Sequence, residues 1–147
     1  MSGSIYRTGP MSSSSPSFDF EVQRLRAVRH VLLRLHKALL ESERESYEQH
    51  YGPIHNNSEF FRLVIGHEWF DWLRPMSQFI VQIDELFDTK EPIDLTQVTD
   101  LLSNASLLLR ASEEGSLAEQ RYYHAIQRNP DIAFMHAEML NLLKTKT

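Results

Sequence analysis

The chain of 147 residues contains no cysteine, only five glycines and no long apolar stretch. The absence of cysteine excludes a disulfide framework, a thiolate nucleophile and any Cys-ligated zinc or iron–sulfur cluster. A membrane-spanning helix needs about 18 or more consecutive apolar residues, and none is present. The N-terminus carries a lone Arg7 and lacks the apolar core of a secretory signal. We therefore expect a cytoplasmic protein with no membrane association.

Motifs that carry catalysis or bind metals are also missing. The Glu-x-x-His pairs of di-iron bundles are absent, since none of the seven histidines follows a glutamate at that spacing. His67 and Asp71 share one helix face, but two ligands fall short of a closed metal site. There is no Gly-x-Ser-x-Gly elbow and no Gly-rich phosphate loop. We predict no enzymatic activity, no metal and no cofactor.

The charges also narrow the range of partners. The chain has 15 basic and 20 acidic residues, a net charge of −5 and a pI near 5.8. Five basic residues lie between Val22 and Leu40 with no acid among them, and acids crowd the stretch from Glu59 to Glu91. Because a nucleic-acid-binding domain usually has a basic pI, we expect no nucleic-acid partner.

The sequence of the N-terminal part of the chain predicts a tail followed by a long helix. Seven of residues 1–18 are serine, which predicts a disordered tail and leaves 19–147 as a single helical-bundle domain. A helix opening at Phe18 or Asp19 should run to about Tyr51 and end at Gly52-Pro53. Its core-facing residues alternate at spacings of three and four: Leu25, Val28, Leu32, Leu35, Leu39, Ser42 and Ser46.

The remaining chain also predicts helices. Pro75 interrupts the apolar pattern from His67 to Asp88, so we expect a kink or break near Arg74. Apolar spacing and local capping signals mark four others. These run from Glu59 to Ile65 after Ser58, from Asp94 or Thr96 to about Ala111, from Ser116 to Arg128 with Ser116 and Glu119 as a capping box, and from Pro130 to about Leu143 with Asn129 as the cap. The predicted fold class is all-α, a helical bundle of three long helices plus two or three shorter ones, kinked at Pro75.

Two apolar features predict binding to another protein, or to a second copy of this chain. A second apolar line repeats every seven residues on the first helix, and an aromatic patch surrounds Pro75. Aromatic and arginine side chains dominate interface energetics. The candidate partner-binding residues are Trp69, Phe70, Trp72, Arg74, Leu33, Leu40 and Tyr47. The alternative for the aromatic residues is that they pack around the proline kink inside the bundle.

The competing hypothesis is a small-molecule or metal-binding bundle. A proline kink opens space in which a small apolar ligand could sit. The candidate ligand-binding residues are His67, Asp71, Trp72 and Tyr122.

Several segments resemble a group of small bacterial proteins usually labelled hypothetical. The resemblance covers roughly residues 32–110 and is carried by Leu35-His36-Lys37-Ala38-Leu39-Leu40, Glu43-Arg44, Tyr47-Glu48, Trp69-Phe70-Asp71-Trp72-Leu73-Arg74-Pro75-Met76-Ser77 and Ile83-Asp84-Glu85. It implies a bacterial, soluble, helical protein, and it transfers no catalytic or ligand-binding residue.

Overall fold

The computed structural model describes residues 15–144, and within this range the chain is helical with no strand. Its elements in chain order are α1 (Pro16–Tyr51), α2 (Asn57–Gly66), a 3₁₀ helix (Glu68–Leu73), α3 (Arg74–Asp88), α4 (Leu95–Leu108), α5 (Leu117–Arg128) and α6 (Pro130–Leu143). The all-α prediction is confirmed. The expectation of three long helices is not confirmed, because α1 has 36 residues and the other α-helices have 10 to 15.

Helix α1 begins earlier than the sequence predicted. The hydroxyl of Ser15 accepts a hydrogen bond from the backbone amide of Phe18, and Pro16 occupies the first helical position. Proline is suited to this position because its missing N–H would have no intrahelical partner there. Residues 16–18 therefore belong to the helix and not to the predicted tail, and residues 1–14 lie outside the described residues. At the other end, Gly52 adopts φ +98° and terminates α1 as predicted.

The segment around Pro75 is divided between two helix types, and a kink within one continuous helix is not confirmed. The amide of Arg74 bonds to the carbonyl of Asp71, three residues back, as in a 3₁₀ helix. Pro75 has no N–H with which to continue α-helical bonding to that same carbonyl. It therefore lies in the first turn of α3, where the loss of this donor costs little.

Local signals place the later helix termini close to their predicted positions. Ser116 and Glu119 form the predicted capping box at the start of α5. Asn129 caps α6, with Pro130 as its first residue. Asn56, rather than the predicted Ser58, caps α2 by accepting from the amide of Glu59.

The core forms around α1, which packs against α3, α4, α5, α6 and the 3₁₀ helix. Its predicted core-facing residues are buried from Leu25 to Ser42. Helix α2 packs mainly on the 3₁₀ helix and contributes no buried residue. Of the helices formed by residues 15–144, none combines the length and apolarity needed to cross a bilayer.

Candidate functional site

The most unusual feature of the interior is a buried carboxylate on α1. Glu43 is only 2% exposed, as little as many of the apolar residues that form the core. Its Oε1 accepts from the indole Nε1 of Trp72 at 3.0 Å and from Nη1 of Arg121 at 2.9 Å. Its Oε2 accepts from Nη2 of Arg128 at 3.0 Å. A buried charge is tolerated only with such partners, so Glu43 ties the 3₁₀ helix and α5 to α1.

The cluster around Glu43 has more positive than negative charge. Two guanidinium groups face the single carboxylate, which leaves one excess positive charge. Arg128 also donates from Nε and Nη2 to the hydroxyl of Ser42, at 3.1 and 2.7 Å. Both arginine side chains remain partly exposed, and that of Arg121 extends toward a surface cleft. The positive charge can therefore act on molecules that enter the cleft.

Aromatic rings pack beside this cluster. The guanidinium of Arg121 stacks over the ring of Trp69, 4.6 Å from its centroid. Tyr47, His50 and Tyr51, all near the end of α1, surround the same indole at centroid distances of 5.0–6.1 Å. The indole Nε1 of Trp69 is buried and has no hydrogen-bond partner among residues 15–144.

A cleft of about 750 Å³ opens between the 3₁₀ helix, the end of α1 and the start of α5. Three of the four candidate ligand-binding residues line it: His67, Asp71 and Trp72. The fourth, Tyr122, is buried and lies instead beside a smaller neighbouring cavity of about 180 Å³, which Trp72 also lines. The hydroxyl of Tyr122 is 2.7 Å from Nδ1 of His136, and burial raises the pKa of Tyr122. The structure thus brings together most of the alternative ligand set.

The hydrogen bonds of His67 and Asp71 define what they offer to the cleft. The backbone amide of Trp69 donates to Nδ1 of His67 at 3.0 Å, so the neutral imidazole carries its proton on Nε2. Asp71 is paired with Arg74 at 3.1 Å, and Arg74 also donates to the carbonyl of Ile65. His67 therefore presents a donor, and much of the charge of Asp71 is balanced.

The candidate partner-binding residues do not form one surface. Phe70 is 2% exposed and packs among Tyr47 and Phe60, so it belongs to the interior and is not offered to a partner. On the second apolar line of α1, Leu33 is exposed, whereas Leu40 packs against the core and Tyr47 contacts the aromatic rings. The spacing of seven residues does not reveal these differences in exposure, because different neighbouring elements cover different turns of the same helix face.

Sequence reasoning missed the three charged residues of the cluster, Glu43, Arg121 and Arg128. One signal was available: Glu43 lies four residues after Leu39, at a position where the helix faces the core. An acid at such a position predicts a buried polar contact, although its partners, 78 and 85 residues away in the chain, cannot be read from the pattern.

Nothing in residues 15–144 groups three or more His, Asp or Glu side chains in a way that could hold a metal ion. In comparisons with known proteins, no protein-family model, no curated protein and no solved structure matches the chain. The resemblance to small bacterial proteins therefore stays a prediction.

Proposed function

We propose that this chain is a non-enzymatic cytoplasmic helical-bundle protein that acts by binding another protein. The observation that supports this proposal is helix α2. Five of its ten residues are apolar or aromatic, yet none of the ten is buried. Phe61 is 65% exposed and Ile65 is 57% exposed. These two residues lie one turn apart, so they present a single apolar face to solvent.

The charge beside this face indicates what kind of protein would bind there. Arg62 is exposed next to Phe61 and has no ion-pair partner among the described residues. A partner that buries Phe61 and Ile65 would bring its own surface close to this guanidinium. We therefore expect an apolar partner surface that carries an acidic residue opposite Arg62.

Photocrosslinking tests the proposal and identifies the partner in the same experiment. A photoreactive phenylalanine analogue replaces Phe61, and in a matched protein it replaces Phe134, which is 80% exposed on α6. We expect a specific adduct from position 61 and none from position 134. The crosslinked protein is then identified, purified and titrated against the unlabelled chain.

Binding of the purified partner decides the outcome. Truncation of two apolar anchors in an interface should weaken binding by about tenfold or more, so we expect this loss for Phe61→Ser/Ile65→Ser. Phe134→Ser should bind like the wild type, and Arg62→Glu should bind more weakly than the wild type at low salt. Equal binding by the double variant would overturn the proposal. A crosslinked dimer of this chain would assign the face to self-association and overturn the assignment to a different protein.

A second candidate function, the binding of a small molecule, is favoured by the cleft beside the 3₁₀ helix. Its volume of about 750 Å³ falls within the range of ligand pockets, roughly 300–1,000 Å³. Aromatic walls with a few polar groups are typical of such pockets. Native mass spectrometry of the purified chain tests this function directly, and a retained small molecule that is lost on Trp72→Ala substitution would support it.

A further inference from the structure

We infer that the cleft between the 3₁₀ helix and α5 binds a small carboxylic acid with a flat apolar body, its carboxylate held by Arg121. This inference rests on the second candidate function, namely that the cleft binds a small molecule.

Two side chains that line the cleft carry donor groups with no acceptor among residues 15–144. Arg121 uses only Nη1 in the cluster, donating to Glu43 and, at 3.4 Å, to the carbonyl of Trp69. Its Nε and Nη2 donate to no described residue, although the side chain lines the cleft. His67 also lines the cleft, and because its Nδ1 is already an acceptor, its neutral ring carries a donor at Nε2. A ligand that supplies acceptor oxygens would satisfy these donors.

The local charges favour an anionic ligand over a cationic one. Arg121 and Arg128 together exceed the single charge of Glu43. Of the two acids on the cleft wall, Asp71 is paired with Arg74, and Glu68 is exposed to solvent, which screens its charge. The guanidinium of Arg121 also covers the ring of Trp69, so a second cation at that aromatic ring would meet like charge.

The other walls of the cleft suit a flat apolar group. The cleft is lined by the rings of Trp72 and Tyr51 and by the side chains of Leu117 and Ala118. Trp72 is held in place by its bond to Glu43, so its ring is oriented before a ligand enters. An aromatic or planar hydrocarbon body can stack on such a ring while its carboxylate reaches Arg121.

The test compares three small probes that share a phenyl ring: phenylacetate, its neutral analogue phenylacetamide, and the cation phenethylammonium. The chain has two tryptophans, Trp69 and Trp72, and both line the cleft, so their two indole N–H NMR signals report on binding at this site. We expect phenylacetate to shift both signals and to bind about tenfold more tightly than phenylacetamide, with phenethylammonium weakest. The preference for the acid should decrease as the salt concentration rises.

A variant of the cluster assigns the preference to Arg121. Arg121→Gln removes the guanidinium and leaves Glu43 paired with Arg128, and we expect the acid and the amide to bind this variant within about twofold of each other. Arg34→Gln, at an exposed arginine on α1 that pairs with Glu138 and does not line the cleft, is the matched control and should keep the preference. If Arg121→Gln does not fold, the ratio of acid to amide affinity in the wild type and its salt dependence decide the question.

The possible results distinguish the carboxylate inference from the second candidate function, the binding of a small molecule. Equal affinity for phenylacetate and phenylacetamide, or a preference for phenethylammonium, overturns the carboxylate inference but leaves small-molecule binding in place. If none of the probes shifts either indole signal, the inference is overturned, and native mass spectrometry of the purified chain decides separately whether the cleft binds another small molecule.

Discussion

Replacement of Glu43 by alanine should destabilise the fold far more than the loss of one side chain from a helix surface. The change removes the acceptor for the indole N–H of Trp72 and for one N–H of each of Arg121 and Arg128. The two guanidinium groups then lose their shared counter-charge. The variant therefore tests whether the buried carboxylate holds the 3₁₀ helix and α5 in place.

The magnitude follows from the burial of each partner. Removal of one member of a fully buried ion pair costs about 3–5 kcal/mol, because the other charge is left unpaired. Here the arginine side chains are 28% and 41% exposed, so water can partly solvate them after the substitution. We therefore expect Glu43→Ala to lower the free energy of unfolding by about 2–4 kcal/mol.

Urea denaturation followed by circular dichroism measures this change. With a slope of about 2 kcal/mol per molar urea, the midpoint should fall by roughly 1–2 M. Glu45→Ala is the matched control, because Glu45 is exposed on the same helix, and its effect should stay within about 0.5 kcal/mol. The triple variant Glu43→Leu/Arg121→Met/Arg128→Leu removes both guanidinium groups together with the carboxylate. If unpaired guanidinium groups cause the destabilisation in Glu43→Ala, the triple variant should recover most of the lost free energy of unfolding. Equal midpoints for Glu43→Ala and Glu45→Ala would refute the reasoning.

The remaining predictions concern tryptophans and histidines. Trp72→Phe should cost more unfolding free energy than Trp69→Phe, by about 1–2 kcal/mol in urea titrations, because only the indole of Trp72 donates to Glu43, whereas that of Trp69 has no described partner. Burial lowers the pKa of His36, opposed in part by a backbone hydrogen bond at Leu73, and burial also lowers that of His136. Below the ordinary histidine pKa of about 6.5 the unfolded chain therefore binds more protons than the folded chain, and we expect the free energy of unfolding to fall as the pH drops from about 7 toward about 5.5.

Matched variants control both predictions. Equal losses for the two tryptophan variants would show that the bond between Trp72 and Glu43 contributes no net stability. For the pH dependence, His136→Gln should flatten the profile between about pH 7 and 5.5, whereas His124→Gln, at an exposed position, should leave it unchanged. A flat wild-type profile over this interval would contradict the assignment to buried neutral histidines.

The helices were largely predictable because their signals are local. Gly52 ends α1, Ser116 and Glu119 form a capping box, and Asn129 caps α6, all as their sequence positions indicated. The errors were also local in origin. Ser15 caps α1 three residues before the predicted start, and Pro75 lies in the first turn of α3, after a 3₁₀ segment, instead of bending a continuous helix.

The site was predictable only in part. The aromatic patch and the pair His67 and Asp71 stand out in the sequence, and the structure places most of them around one cleft. Their neighbours in the cluster were not foreseen. Spacing along a helix shows which residues share a face, but it does not show which of those faces another element covers.

By itself, the sequence determined the fold class, the apolar positions that form the core and most of the helix ends, because periodicity and capping act within a few residues. Only the tertiary structure decided that Glu43 meets donors 29, 78 and 85 positions along the chain, that Phe70 is covered, and that α2 is left with an uncovered apolar face. These outcomes depend on how the helices dock on one another. The free energy of docking is shared among many contacts between distant segments and is not encoded in any single stretch of residues.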